Sequence, residues 1–250
     1  MNIFFWALAF AMLGGIAAAL LASLFLILPR RAQAVMLPSL VCLAAGALLG
    51  VACLELLPHA FESVNGHEAE ALGMLMLVVL VASFALDRLL RWLGDRAKLQ
   101  VQSAGPLMLI GDGLHKLIDG LIIGVATAVD WHLGLVTALA VLAHEVPHEL
   151  SNLAVLRDSG FSRALAFVFN LSVSALILPG ALAGALAMEL AEQGRPWFLA
   201  AAAAVFFYTA LSALVPRLHQ QAAGQLRAWQ LLWIAVGIAL VSSLHHLLHH

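Results

Sequence analysis

Eight apolar stretches, each long enough to cross a bilayer as a helix, take up nearly all of this 250-residue chain. They run near 3–28, 34–60, 70–93, 105–129, 133–156, 164–189, 197–216 and 228–248. About 20 apolar residues in a helix cover the roughly 30 Å hydrocarbon core of a membrane. Backbone polar groups in lipid must be satisfied within the chain, which leaves helices or closed barrels. Barrel strands require apolar–polar alternation of period two. These stretches lack it and are dominated by Ala, Leu and Val. The expected fold class is therefore all-α: a polytopic membrane protein of eight transmembrane helices, forming one domain over 1–250. Only 10% of residues are charged, against about 25% in soluble domains. Almost nothing remains for a soluble domain.

The few charges are unevenly placed. Arg30 and Arg31 separate the first two stretches, and Arg88, Arg91, Arg96 and Lys98 lie at the end of the third and just beyond it, before the fourth. Arg157 and Arg163 separate the fifth from the sixth, and Arg217 and Arg227 the seventh from the eighth. The alternate connections hold only Arg195. Basic residues stay on the cytoplasmic side, so both termini are expected outside. The outer connections then carry Glu62, Glu68, Glu70, Asp130, Glu189 and Glu192, an acidic face that concentrates cations. The net charge of −2 itself says little; the lipid bilayer is an expected partner and nucleic acid is not. MNIFFWALAF lacks a basic n-region and reads as the first spanning helix, not a cleaved signal. Cys42 and Cys53, eleven residues apart on one predicted helix, suggest neither a disulfide nor a thiolate site.

Small residues recur at GxxxG spacing in Gly46/Gly50, Gly120/Gly124 and Gly180/Gly184, a pattern that lets helices approach closely. Pro58 and Pro147 lie inside spans, each beside a polar cluster. Pro147 frees the carbonyl of Ala143, next to His144. It marks either a packing kink or a broken helix at a transport site.

Charged groups in a bilayer core are costly and usually functional. The fourth stretch nevertheless reads LIGDGLHKLIDG and the fifth AHEVPHELSN. Asp112, His115 and Asp119 share one helical face at i, i+3, i+7, with Lys116 about 100° away. His144 and His148 form one i, i+4 pair; Glu145 and Glu149 form another; Asn152 continues the His148 line. His115, Asp119, His144, Glu145, His148 and Glu149 are thus candidate ligands for one divalent cation. Imidazole and carboxylate donors suit Zn²⁺ and similar borderline ions, and the lack of thiolate argues against Cu(I).

HEVPH also matches the H-E-x-x-H pattern of zinc hydrolases. Glu145 would then be a general base and Asp119 a third ligand, as in an intramembrane site-2-type protease. The proline inside the ligand turn and the order of the two motifs both weigh against an enzyme. In the second stretch Glu55 and His59 stand one turn apart, followed by Glu62, and form a candidate ladder for incoming cations. Asn170 and Ser174 at i, i+4 on the sixth either line the pathway or join helices. His245, His246, His249 and His250 form a terminal histidine patch with no assigned transport role.

These residues resemble the ZIP (Zrt-, Irt-like) family of divalent-metal transporters. His115, Asp119 and Gly120 resemble its H-N-x-x-D-G, and His144, Glu145, Pro147, His148 and Glu149 its H-E-x-P-H-E. GALLGVACLELLPHA and FFYTALSALVP resemble its second- and seventh-helix segments. The resemblance implies a metal transporter rather than an enzyme. Zn²⁺ would move into the cytoplasm by alternating access, with Fe²⁺, Mn²⁺ and Cd²⁺ as other candidate cargoes. It also implies a homodimer in a plasma membrane, here a bacterial inner membrane. It further implies a paired site: His115, His144 and His148 for one metal, Asp119 and Glu145 for a second. Lys116 stands where the family has the Asn that helps hold the second ion. Val51 and Glu55 replace the Asp and His of the second helix, and Arg217 an acidic residue of the seventh.

Overall fold

The computed structural model of the chain describes residues 2–62, 64–97, 104–190, 192–214 and 228–249. Among them every regular element is helical. Helix α1 runs Ile3–Ala11, passes through a π-turn at Met12–Ile16 and resumes over Ala17–Phe25. Helix α2 runs Arg30–Val51, passes through a π-turn at Ala52–Leu56 and ends as Leu57–Phe61. Then come α3 (Gly66–Ala97), α4 (Ala104–Val129) and α5 (Trp131–Asp158). Helix α6 comprises Arg163–Ser174 and Ile177–Leu190; α7 is Arg195–Tyr208 with a π-turn at Thr209–Leu214; α8 is Ala228–His249. The expected spans fall on these eight helices. Lys98, Arg217 and Arg227, and the end of the seventh stretch at 215–216, lie outside the described residues.

By length and composition, Ile3–Phe25, Arg31–Phe61, Gly66–Leu89, Arg163–Leu190 and Ala228–Leu247 are apolar enough to cross a membrane. Helices α4 and α5 are as long, but Asp112, Lys116, Asp119, Glu145 and Glu149 interrupt their apolar runs. The bundle shields those two instead. Helix α3 stays outside: Met74, Leu77, Val78, Val81 and Phe84 are exposed, an apolar surface matched to lipid. The protein is a polytopic, all-helical membrane protein.

A single residue joins α4 to α5. Asp130 caps α5, its Oδ1 accepting from the backbone N–H of His132 at 2.8 Å and of Leu133 at 3.1 Å. So short a connection forces an antiparallel hairpin. Asp119 lies eleven residues before Asp130 and His144 fourteen after it, so the two meet across the hairpin. Pro147 does not break α5, which is continuous across it. At the far end Gly160 adopts φ +90°, a left-handed conformation that suits glycine and ends the helix. Ser162 then caps α6 by accepting from the Leu165 N–H.

The GxxxG pairs do bring helices together. Gly120 and Gly124 on α4 face Gly180 and Gly184 on α6. A Cβ on Gly120 would strike the Ile177 carbonyl, and one on Gly180 the Leu117 carbonyl. Gly46 meets the Ile234 carbonyl of α8, and Gly237 of α8 meets the Leu43 carbonyl of α2. In both contacts residue numbers rise together, so the paired helices run parallel. Gly120→Ala is expected to destabilise the protein by roughly 1–3 kcal/mol, because the obstacle is backbone and cannot rotate away. Gly73→Ala, with nothing within 4 Å of the new Cβ, should be neutral or slightly stabilising. Thermal unfolding of the two variants in one detergent checks the contrast.

Candidate metal centre

Four side chains converge inside the α4–α5 hairpin. Their ligand atoms, from His115, Asp119, His144 and Glu145, all lie within 4.8 Å of one another. His144 Nε2 is 3.1 Å from Asp119 Oδ2 and 3.5 Å from Glu145 Oε1. His115 Nε2 is 3.7 Å and 3.4 Å from the same two oxygens. Donors about 2.0–2.1 Å from a tetrahedral Zn²⁺ stand roughly 3.3–3.4 Å apart. The four imidazole–carboxylate separations, 3.1–3.7 Å, are close to that of one four-coordinate ion.

The orientation of His144 supports a cation at this point. Its Nδ1 is 3.2 Å from the Ala140 carbonyl, which can only accept, so Nδ1 carries the proton. Nε2, the ring nitrogen that a cation held beside the carboxylate would meet, faces Asp119 Oδ2 at 3.1 Å. A second ring nitrogen bonded to a backbone carbonyl is the usual arrangement of a metal-binding histidine.

Lys116 lies beside the cluster, fully buried. Its ammonium is paired with Glu145 and stands 2.5 Å from Glu149 Oε1. Glu149 also accepts from Asn170 Nδ2 and, at 2.7 Å, from Ser174 Oγ. Glu149, with its i, i+4 partners on α6, therefore holds the lysine rather than joining the four-donor cluster. The i, i+4 spacing of Asn170 and Ser174 was the visible signal for this contact; their partner was not.

His148 stands beside the four and is not one of them. Its ring is 5.2 Å from that of His115, while its Nδ1 lies 3.3 Å from Asp112 Oδ1 and 3.4 Å from Asn152 Nδ2. Asp112 and Asn152 thus extend the polar column along the hairpin. The second-helix ladder takes another form. His59 Nδ1 bonds the Glu55 backbone carbonyl at 2.7 Å, and the Glu55 carboxylate meets His245 of α8 at 2.9 Å. No spacing rule could have linked residues 190 positions apart. The His249 side chain and His250 lie outside the described residues.

A helical hairpin sunk in a membrane bundle, with two imidazoles and two carboxylates at ion-coordinating separation, is the construction of a protein that handles divalent cations within the bilayer. The sequence profile of the ZIP zinc transporter family matches residues 94–245. The chain belongs to that family. It is 43% identical over 110 residues to the zinc transporter ZIP4 of Mus musculus, covering 44% of this chain and 16% of that protein. Human zinc transporter ZIP6 is 38% identical over 117 residues, 46% of this chain and 16% of its own length. Zinc transporter ZIP10 of Danio rerio is 34% identical over 118 residues, 47% and 14% respectively. The matched stretch is thus about a sixth of these relatives or less. The profile match over 94–245 contains both the fourth- and the fifth-helix motifs. The H-E-x-x-H segment accordingly sits in a family of transporters, not of proteases.

Proposed function

We propose that this chain carries zinc across a membrane, taking the ion from the acidic end of the bundle to the basic end. The observation that carries this reading is the four-donor cluster of His115, Asp119, His144 and Glu145. Its mixed imidazole and carboxylate character also admits Fe²⁺, Mn²⁺ or Cd²⁺, so selection depends on geometry and availability. Glu149, His148 and Lys116 shape the site around that cluster, and Asp112, Asn152 and Asn170 line or brace the path. Alternating access is the mechanism such a buried site requires: the ion must be enclosed, and each barrier must open in turn. We further propose a homodimer in a bacterial inner membrane, with residues 1–250 as one transport domain.

Uptake by proteoliposomes of purified protein, measured ion by ion, tests the reading. Zn²⁺ should accumulate in proportion to protein and saturate. Failure of every divalent ion to accumulate above empty vesicles would reject transport.

The direction of insertion follows from charge. Asn2, Val129, Glu189 and Arg195 line one pocket, so the N-terminus, the α4–α5 turn and the α6–α7 connection share one end. Glu62, Glu68 and Glu70 belong to this acidic end, and Arg31, Arg88, Arg96 and Arg157 to the opposite one. The acidic end, with both termini, is assigned to the outside. In a background free of Cys42 and Cys53, a cysteine at His67 should react with an impermeant maleimide added to intact cells. A cysteine at Gln100, outside the described residues, should react only after lysis. Labelling of both from the same side would reverse or refute the topology.

A further inference from the structure

We infer that Glu55 of α2 and His245 of α8 form a second divalent-cation site, separate from the α4–α5 cluster. Glu55 is 1% exposed, in the middle of the π-turn at Ala52–Leu56. A π-turn inserts one extra residue into the helix, and such turns are frequent at functional sites. Glu55 Oε1 lies 2.9 Å from His245 Nδ1. Its other oxygen, Oε2, is buried and has no hydrogen-bond partner among the described residues. A buried carboxylate oxygen left in that state is costly unless a cation or a water meets it.

The surroundings favour a cation. Gly46, Gly50, Gly237 and Val241 in the α2–α8 contact supply no polar side chain. His245 is partly exposed, with 36% side-chain accessibility, and so opens the buried carboxylate to ions arriving at the end of the bundle. The His246 ring stands 5.6 Å from that of His245. The same end carries Glu62, Glu68 and Glu70, which raise the local cation concentration. One carboxylate and one imidazole suit Zn²⁺ or a similar borderline ion, with water completing the shell. Two protein ligands make a weak site, as a stop on a pathway must be for the ion to leave. Its place on a pathway rests on the transport reading above; the capacity of the pair to bind metal does not.

Equilibrium Zn²⁺ binding to the full-length, detergent-solubilised protein tests the inference. His249→Ala and His250→Ala are included throughout, to remove the terminal imidazoles. With the central cluster disabled by His115→Ala and His144→Ala, one weak Zn²⁺ equivalent should remain. Adding Glu55→Gln or His245→Gln should weaken that equivalent at least tenfold, whereas Glu55→Asp should retain it. In a chain with an intact central cluster, His245→Gln should leave tight binding unchanged. Retention of helical circular dichroism and a monodisperse elution profile shows that each variant is folded. Absence of the weak equivalent in the folded cluster-disabled protein overturns the inference. So does its persistence when both Glu55→Gln and His245→Gln are present. Neither result bears on the transport reading, which stands or falls on vesicle uptake.

Discussion

Replacing His144 with alanine is expected to reduce Zn²⁺ uptake by proteoliposomes to the level of empty vesicles. His144 is buried, held by the Ala140 carbonyl, and faces both Asp119 and Glu145. Its loss removes one of four donors and leaves two carboxylates with a single imidazole to balance them. The protein should still insert, because the α4–α6 glycine contact and the Asp130 cap do not involve His144. His148→Ala should be milder and leave measurable uptake, since His148 is engaged with Asp112 and Asn152. The two variants, reconstituted at equal density, give a direct ranking. Uptake by His144→Ala near the unsubstituted rate, or an inverse ranking, would dismiss the four-donor cluster as the transport site.

Much of this architecture is legible in the sequence, because lipid leaves the backbone so few choices. Long apolar runs must be helices, and the gaps between them must be turns. The expected limits of the fourth and fifth spans, 105–129 and 133–156, lie within two residues of Ala104–Val129 and Trp131–Asp158. The polar residues of those spans are also visible, since ionisable groups in an apolar run have few structural reasons to be there. The division of labour among them is not. Helical periodicity places Glu145 and Glu149 on one strip but cannot say which oxygen faces His115 and which faces Lys116. That depends on the crossing of α4, α5 and α6, set by the one-residue turn at Asp130 and the approach of Gly120 to Gly180. The Glu55–His245 contact is further from reach. It depends on the register of two parallel helices separated by most of the chain, and on a π-turn that has no periodic signature.

Lys116 carries the second large expectation. Its ammonium lies between Glu145 and Glu149, and none of the three side chains is accessible. One fixed positive charge therefore occupies the place where a second divalent ion would neutralise the same carboxylates. A metal ion brought beside it would be repelled by several kcal/mol at the low effective dielectric of a buried site. The protein should accordingly bind one tightly held Zn²⁺ per chain in the α4–α5 cluster. Lys116→Ala removes the ammonium and leaves Glu145 and Glu149 buried without it. Breaking one side of a buried ion pair costs about 3–5 kcal/mol, so the metal-free variant should melt well below the unsubstituted protein. Zn²⁺ should restore much of that loss, by about 2.7 kcal/mol at a hundred times its dissociation constant. Lys116→Asn, which replaces the ammonium with an amide oxygen donor, should bind a second Zn²⁺ outright. Metal content measured beside thermal unfolding separates the outcomes. Two tightly bound ions in the unsubstituted protein, or one ion and no zinc-dependent rescue in both variants, would show that the lysine does not act as a built-in second cation.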